Sequence, residues 1–249
     1  MMGEHPTPPT SPPTSTPVGV PIEKLIETGA TATLPLGFLL GHTEDEHAGT
    51  GCTVVICEQG AVGASSVRGA APATRETDLL KAHNTVERVD AVVLSGGSAF
   101  GLDSAGGVMR WLAEHEMGFD VGGIIVPIVC GACIFDLTVG AQDVYPDASF
   151  GYAACENARE NAGRSLKTGN VGAGMGASVG KLLGEPFAMK GGFGAASVTC
   201  GEIIVTALVA VNALGNVFDR ANTQTLAGVR DPQKKSTMLD PYQAFSIMT

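Results

Sequence analysis

Thirty-four of the 249 residues are glycine, about twice the usual share, and they follow no collagen-like period. Glycine alone lacks a Cβ, so a chain this rich in it is expected to fold through tight turns and close backbone approaches. Hydrophobic residues make up 44% and charged residues 16%, with a mean hydropathy of +0.20, so enough apolar surface exists to order the chain. Acidic residues outnumber basic ones 25 to 15, a formal net charge of −10. That balance opposes binding to a phosphate backbone, and no nucleic-acid partner is expected. No membrane span is expected either: the apolar run Ile203–Val211 contains Thr206 and stops at Asn212, far short of a bilayer.

Seven of the 14 prolines (Pro6, Pro8, Pro9, Pro12, Pro13, Pro17 and Pro21) fall in the first 21 residues among Ser and Thr, which predicts a flexible tail over 1–21. It has neither the basic nor the apolar region of a secretory signal. The six cysteines are therefore expected to be reduced thiols in a cytoplasmic protein. Residues 22–249 read as one domain. Thr53–Cys57 is β-branched and bounded by turn residues, hence a strand, with Ala61–Arg68 beyond Gly60 as its hairpin partner. Ala91–Leu94 reads as a short buried strand. In Asp103–Glu116, Val108, Met109, Trp111 and Leu112 recur at helical spacing. Ser149–Asn161 reads as a small-residue helix with Gly163 as its stop. Val198–Val211 and Asn216–Asp219 read as strands, and Tyr145-Pro146-Asp147 as a turn. The interleaving predicts an α/β fold with helices covering a buried sheet.

Several motifs lack the partner their chemistry requires. Gly176–Gly180 fits the G-x-S-x-G nucleophile elbow, but all five histidines precede Ser178, so no downstream base follows. Gly172–Ala177 fits G-x-G-x-x-A, yet polar Arg164–Asn170 precedes it and no acid stands about 20 residues on. A phosphate loop ending at Lys181 fails because Met175 replaces its first glycine and Leu182 its Ser/Thr. Cys130 and Cys133 lie in the apolar run Ile124–Ile134 and read as buried thiols. Cys52 and Cys57 are the sole candidates for a second zinc pair. His42 and His47 flank Glu44-Asp45-Glu46; a metal loop is conceivable there, but a solvated loop is the simpler reading. No metal or cofactor is predicted.

Two residues stand out. Asn212 interrupts an otherwise apolar strand, Ile203–Leu214, where its amide must find partners or cost about 1–3 kcal/mol. It reads either as an amide closing a sheet edge or as a fixed N–H donor for an oxyanion. Lys181 follows small residues unable to shield it, and a glycine-rich turn could present its charge to a nucleophile.

Five blocks carry a family resemblance: Gly41-His42 with Thr50–Val55, Leu94–Asp103, Ile134–Leu137, Gly172–Met175 through Gly180-Lys181, and Val209–Gly215. Their order over about residues 35–220 resembles the DmpA/BapA-type self-processing aminopeptidases. That group includes D-aminopeptidases, β-aminopeptidases and nylon-oligomer hydrolases, and is related by fold to ornithine acetyltransferases. The resemblance implies a four-layer αββα sandwich and a precursor that cuts itself into an α chain and a shorter β chain. The new N-terminal Ser or Thr of β is then the nucleophile, which makes a histidine unnecessary.

In relatives, a segment like Asp240–Phe245 precedes the cleavage site. This chain stops at Thr249 without such a site, which implies that it is the α portion. By resemblance, Asn212 helps build the oxyanion hole, Lys181 lies near the nucleophile and Phe135 stands at a substrate-pocket position that is Tyr in several relatives. Cys130-Gly131 replaces a common Pro-Ala pair. The expected partners are the β chain and a small peptide or amide substrate, in a homo-oligomer of αβ units. The alternatives are an acyltransferase of the ornithine acetyltransferase type and an unprocessed, non-catalytic family member.

Overall fold

The computed structural model describes residues 27–28, 32–234 and 236–248; the tail expected over 1–21 lies outside the described residues. The principal strands are β1 (Phe38–Asp45), β2 (Thr50–Val62), β3 (Arg88–Ser95), β4 (Val129–Cys133), β5 (Gly192–Cys200) and β6 (Ile203–Val211). The helices are α1 (Ser104–Glu114), α2 (Ala148–Glu160) and α3 (Pro241–Met248). One sheet has the order β1-β2-β3-β4 with Thr74–Arg75 on its far edge. Its pairs are antiparallel except β3 with β4, which run parallel. A second, antiparallel sheet holds Glu27–Thr28, β5 and β6.

Strand alternation explains how these layers stack. Successive residues point to opposite faces. Cys52, Val54 and Ile56 of β2 join Ala91, Val93 and Val129 in one buried cluster with Val108, Trp111 and Leu112 of α1 and Ala154, Cys155 and Ala158 of α2. The intervening Thr53 turns the other way, to His42 and the 172–174 turn. His42 in turn packs edge-on against Phe193 of β5. The first sheet therefore has helices on one face and the 172–174 turn with the second sheet on the other, an α–β–β stack.

Glycine makes the helix layer possible. A Cβ on Gly107 of α1 would sit 1.7 Å from the Ala148 carbonyl oxygen, and one on Gly151 of α2 would sit 1.9 Å from that of Ser104. The two helices cross at a separation only glycine permits. Asp147 starts α2, its carboxylate accepting from the amides of Ser149 and Phe150 at 2.8 and 3.3 Å. The Tyr145–Asp147 turn thus also caps a helix. Beyond the cap residue Asn161 the chain turns with Gly163 at φ +73°.

Some local expectations are corrected. Ala61 and Val62 continue β2 past an irregularity instead of forming its hairpin partner, because β1 and β3 already occupy both edges of β2. His42 is not on a solvated loop: it lies within β1 and is 8% exposed, whereas His47 is exposed. No cluster of metal-binding side chains occurs among the described residues. The 198–211 stretch is a hairpin turning at Gly201-Glu202. Its second strand is not buried throughout, since Ile203 is 66% exposed and Val205 and Val209 also face outward.

All six cysteines are unpaired. Burial pushes the Cys52 and Cys133 thiols up to about 12 and those of Cys57 and Cys130 up to about 11. They are packing groups with little thiolate at neutral pH. Among the described residues no helix is long and apolar enough to cross a membrane.

Candidate active site

β6 ends at Val211, so Asn212 does not interrupt a strand running to Leu214, as the sequence suggested, but is the first residue beyond it. Backbone bonds fix what meets it there. The amides of Gly180 and Lys181 donate to the carbonyls of Gly215 and Leu214 at 2.9 and 2.8 Å, drawing the end of the glycine-rich loop against the 212–215 turn. Gly180 has φ +70°, and a Cβ there would collide with Gly228 and Val229 at 2.2 Å. This left-handed residue reverses the chain and leaves the next side chain, Lys181, pointing at Asn212.

The Asn212 amide is held on three sides. Its Oδ1 accepts from Lys181 Nζ at 2.7 Å and from the Ser178 amide at 3.1 Å. Its Nδ2 donates to the Phe135 carbonyl at 3.1 Å. Two donors at one end and a carbonyl at the other leave a single sensible orientation for the amide. A primary amide has two N–H groups, and Phe135 engages one. The second N–H makes no bond to any described residue. Asn212 is thus a rigid group with one free donor.

Burial holds the Lys181 ammonium below the ordinary lysine range, while the charges of Glu185 and Asp136 oppose that shift. Phe135 contributes its carbonyl, and its ring is 50% exposed. The structure therefore unites Asn212, Lys181 and Phe135, which sequence had singled out separately. It adds two residues that sequence reasoning left without a role. Ser178 supplies its amide, and its buried Oγ has no partner among the described residues. Asp136, 2% exposed, accepts from Gly97 N at 2.6 Å and from Thr50 Oγ1 at 2.8 Å. The available signal for Asp136 was an acid closing the apolar stretch Ile124–Ile134. A cavity of about 600 Å³ lies elsewhere, with residues 32–40 and 161–167 in its wall and none of Asn212, Lys181 or Phe135.

The arrangement can stabilise negative charge on an oxygen: a desolvated cation polarises an amide whose free N–H is fixed in place. It contains no histidine, so a Ser-His type of nucleophile activation is absent from these residues.

An uncharacterized aminopeptidase of Mycobacterium leprae (strain TN) is 51% identical over 176 residues, covering 69% of this chain and 47% of the relative. A 6-aminohexanoate-oligomer endohydrolase of Paenarthrobacter ureafaciens is 31% identical over 216 residues, covering 84% and 56% respectively. The chain thus spans about half the length of the curated relatives it matches.

Among solved structures, a Burkholderia sp. beta-aminopeptidase superposes with a TM-score of 0.53 at 20% identity, over 80% of this chain and 59% of the other. The L-aminopeptidase D-Ala-esterase/amidase of Ochrobactrum anthropi gives 0.52 at 17% identity, over 71% and 51%. The latter is described as a variant of the Ntn-hydrolase fold, so this chain has the type of α/β fold expected from the sequence, with three of the four expected layers among the described residues. The profile of peptidase family S58 matches residues 36–239, and the chain belongs to that family.

Proposed function

We propose that this chain is the α portion of a self-cleaving N-terminal-nucleophile amidohydrolase, acting on small peptides or amino-acid amides. The observation that carries the reading is the Asn212 amide, fixed by Ser178, Lys181 and Phe135 with one N–H free. In the reaction, the N-terminal Ser or Thr of a companion β chain attacks the amide carbonyl. Its proton passes to a neighbouring base, for which its own amino group suffices. The tetrahedral oxyanion is stabilised by the free Asn212 N–H, made more acidic by Lys181 on the amide oxygen. Collapse breaks the C–N bond, the amine leaves with the proton, and an acyl-enzyme ester remains. Water then hydrolyses the ester.

Three further observations support this reading. The site offers an oxyanion donor and a cation without a histidine base, so the nucleophile must bring its own means of activation. The chain covers 47% of the Mycobacterium leprae relative and 56% of the Paenarthrobacter ureafaciens one, which leaves room for a β portion. Helix α3, which includes the Tyr242–Phe245 part of the segment that precedes cleavage in relatives, packs against residues 181–183. That segment therefore lies against the turn that carries Lys181. The half-exposed Phe135 ring is assigned to the substrate wall. Assembly into a homo-oligomer of αβ units is part of the same proposal, and the unpaired thiols support a reducing, cytoplasmic setting.

The test is to express the whole gene product and measure intact masses. Two fragments, the second beginning with Ser or Thr, are expected, together with turnover of an amino-acid p-nitroanilide. Asn212→Ala is expected to lower kcat by about 10²–10³-fold. A single uncut chain inert toward every such amide overturns the proposal.

A further inference from the structure

Asp136 is a buried carboxylate held by groups from two different strands and their loops. Oδ1 accepts from the Gly97 amide and Oδ2 from the Thr50 hydroxyl. Space around it is closed by two glycine-rich stretches, the Gly96-Gly97 turn and the 172–180 loop that found no phosphate or nucleophile role. A Cβ on Gly96 would lie 2.1 Å from Asp136 Oδ2, and one on Gly176 would lie 2.4 Å from it. Both loops have converged on this acid. A buried carboxylate is retained at a cost unless its hydrogen bonds are complete. Here both oxygens are engaged; burial holds the Asp136 carboxyl above the ordinary carboxylate range, and these bonds and the Lys181 charge oppose that shift.

The peptide unit joining Phe135 to Asp136 carries the carbonyl that accepts Asn212 Nδ2. On its N-terminal side, the Ile134 amide donates to Ser95 O at 2.8 Å, and Ile134 O accepts from Ser98 N at 2.9 Å. On its C-terminal side, Asp136 O accepts from Val139 N at 2.8 Å. The Asp136 side chain is the remaining anchor. With it in place the peptide plane cannot rotate, so the Phe135 carbonyl stays aimed at Asn212.

We infer that Asp136 is a positioning residue: through the Phe135–Asp136 peptide it sets the orientation of the Asn212 amide, and thereby the direction of the free N–H that meets the oxyanion. This rests on the hydrolase reading above. An angular error in a single donor is sufficient to reduce turnover while leaving substrate binding intact, because the oxyanion exists only after attack.

The experiment uses the full gene product, with active sites titrated and the p-nitroanilide that wild type turns over fastest. The variants are Asp136→Ala, Asp136→Asn, Thr50→Val, Asn212→Ala and the Asp136→Ala/Asn212→Ala pair. Asp136→Ala is expected to lower kcat by about 10–100-fold with KM within about twofold. Asp136→Asn, which still accepts from Gly97 and can donate to Thr50, should restore most of that loss.

In the Asn212→Ala background, Asp136→Ala should cost less than about twofold, since the group it orients is gone. A cost that is equal in both backgrounds overturns the positioning role, as does an Asp136→Ala enzyme with wild-type kcat. Should Asp136→Ala not fold, Thr50→Val removes one anchor alone, and the same cycle with Asn212→Ala decides: non-additive loss supports the inference, and additive loss or none overturns it. Near-normal kcat in Asn212→Ala is a different failure, since it removes the oxyanion role itself and the hydrolase reading built on it.

Discussion

Protonating His42 is expected to destabilise the fold by an amount the structure sets. The ring is 8% exposed, between Thr53, whose Oγ1 lies 2.9 Å from Nδ1, and the edge of Phe193. Nε2 is buried without a partner among the described residues. Burial, reinforced by the Lys167 charge and only partly offset by the Lys167 backbone, lowers its pKa from 6.5 to about 4. Between those values the unfolded chain binds a proton that the folded chain refuses, so stability rises with pH over that window and is lost on acidification. The full difference is about 3 kcal/mol, and most of it, about 2.5 kcal/mol, is felt by pH 4.5.

Carboxylates also titrate in this range, so the comparison is with His42→Asn, which keeps a hydrogen-bonding group opposite Thr53 and cannot ionise. Urea unfolding of both proteins at pH 7.5 and 4.5 gives the difference directly. Wild type should lose about 2.5 kcal/mol more than the variant on acidification. Parallel losses would refute the reasoning, and so would a His42 ring resonance that titrates near 6.5.

Other outcomes follow from the same structure. Gly107→Ala puts a methyl 1.7 Å from the Ala148 oxygen and should cost at least about 1–3 kcal/mol by separating α1 from α2; a Cβ on neighbouring Gly106 meets nothing nearer than 3.9 Å, so Gly106→Ala should stabilise by about 0.5–1 kcal/mol. Thermal melts showing equal effects for the pair would contradict the close-crossing argument. Asp147→Ala removes the α2 cap and should lower stability by about 1 kcal/mol at neutral pH, seen as a reduced urea midpoint. Because burial lowers the Lys181 pKa, its charge is lost at a lower pH than that of a free lysine. In the assembled enzyme kcat should therefore fall on the alkaline side below the ordinary lysine range, and Lys181→Met should be slow without that limb. An identical limb in the variant removes Lys181 from the site.

Local structure was legible where a short repeat carried it. The spacing of Val108, Trp111 and Leu112 located α1, and the β-branched run at Thr53–Cys57 located the heart of β2. The one-residue alternation within β1 and β2 was harder to read, because both faces of this sheet are covered. His42 was misplaced for that reason: its acidic neighbours suggested a loop, whereas strand pairing with Thr53 turned it inward. Exposure of Ile203 and Val205 was likewise invisible, since an apolar strand reads the same whether or not another layer covers it.

The site divides along the same line. Sequence by itself determined that Asn212 needed partners, that Lys181 followed a turn able to present it, that no histidine-based nucleophile pair was at hand, and which family the ordered blocks resemble. Only the tertiary structure decided who those partners are. Lys181 is 31 residues from Asn212 and Phe135 is 77 residues from it, while Asp136 draws together Thr50 of β2 and Gly97 beyond the end of β3. Periodicity and turn chemistry act over a few residues. Contacts of this length arise only once the sheets pair and the glycine-lined loops close, so the direction of a single amide N–H is a property of the folded chain.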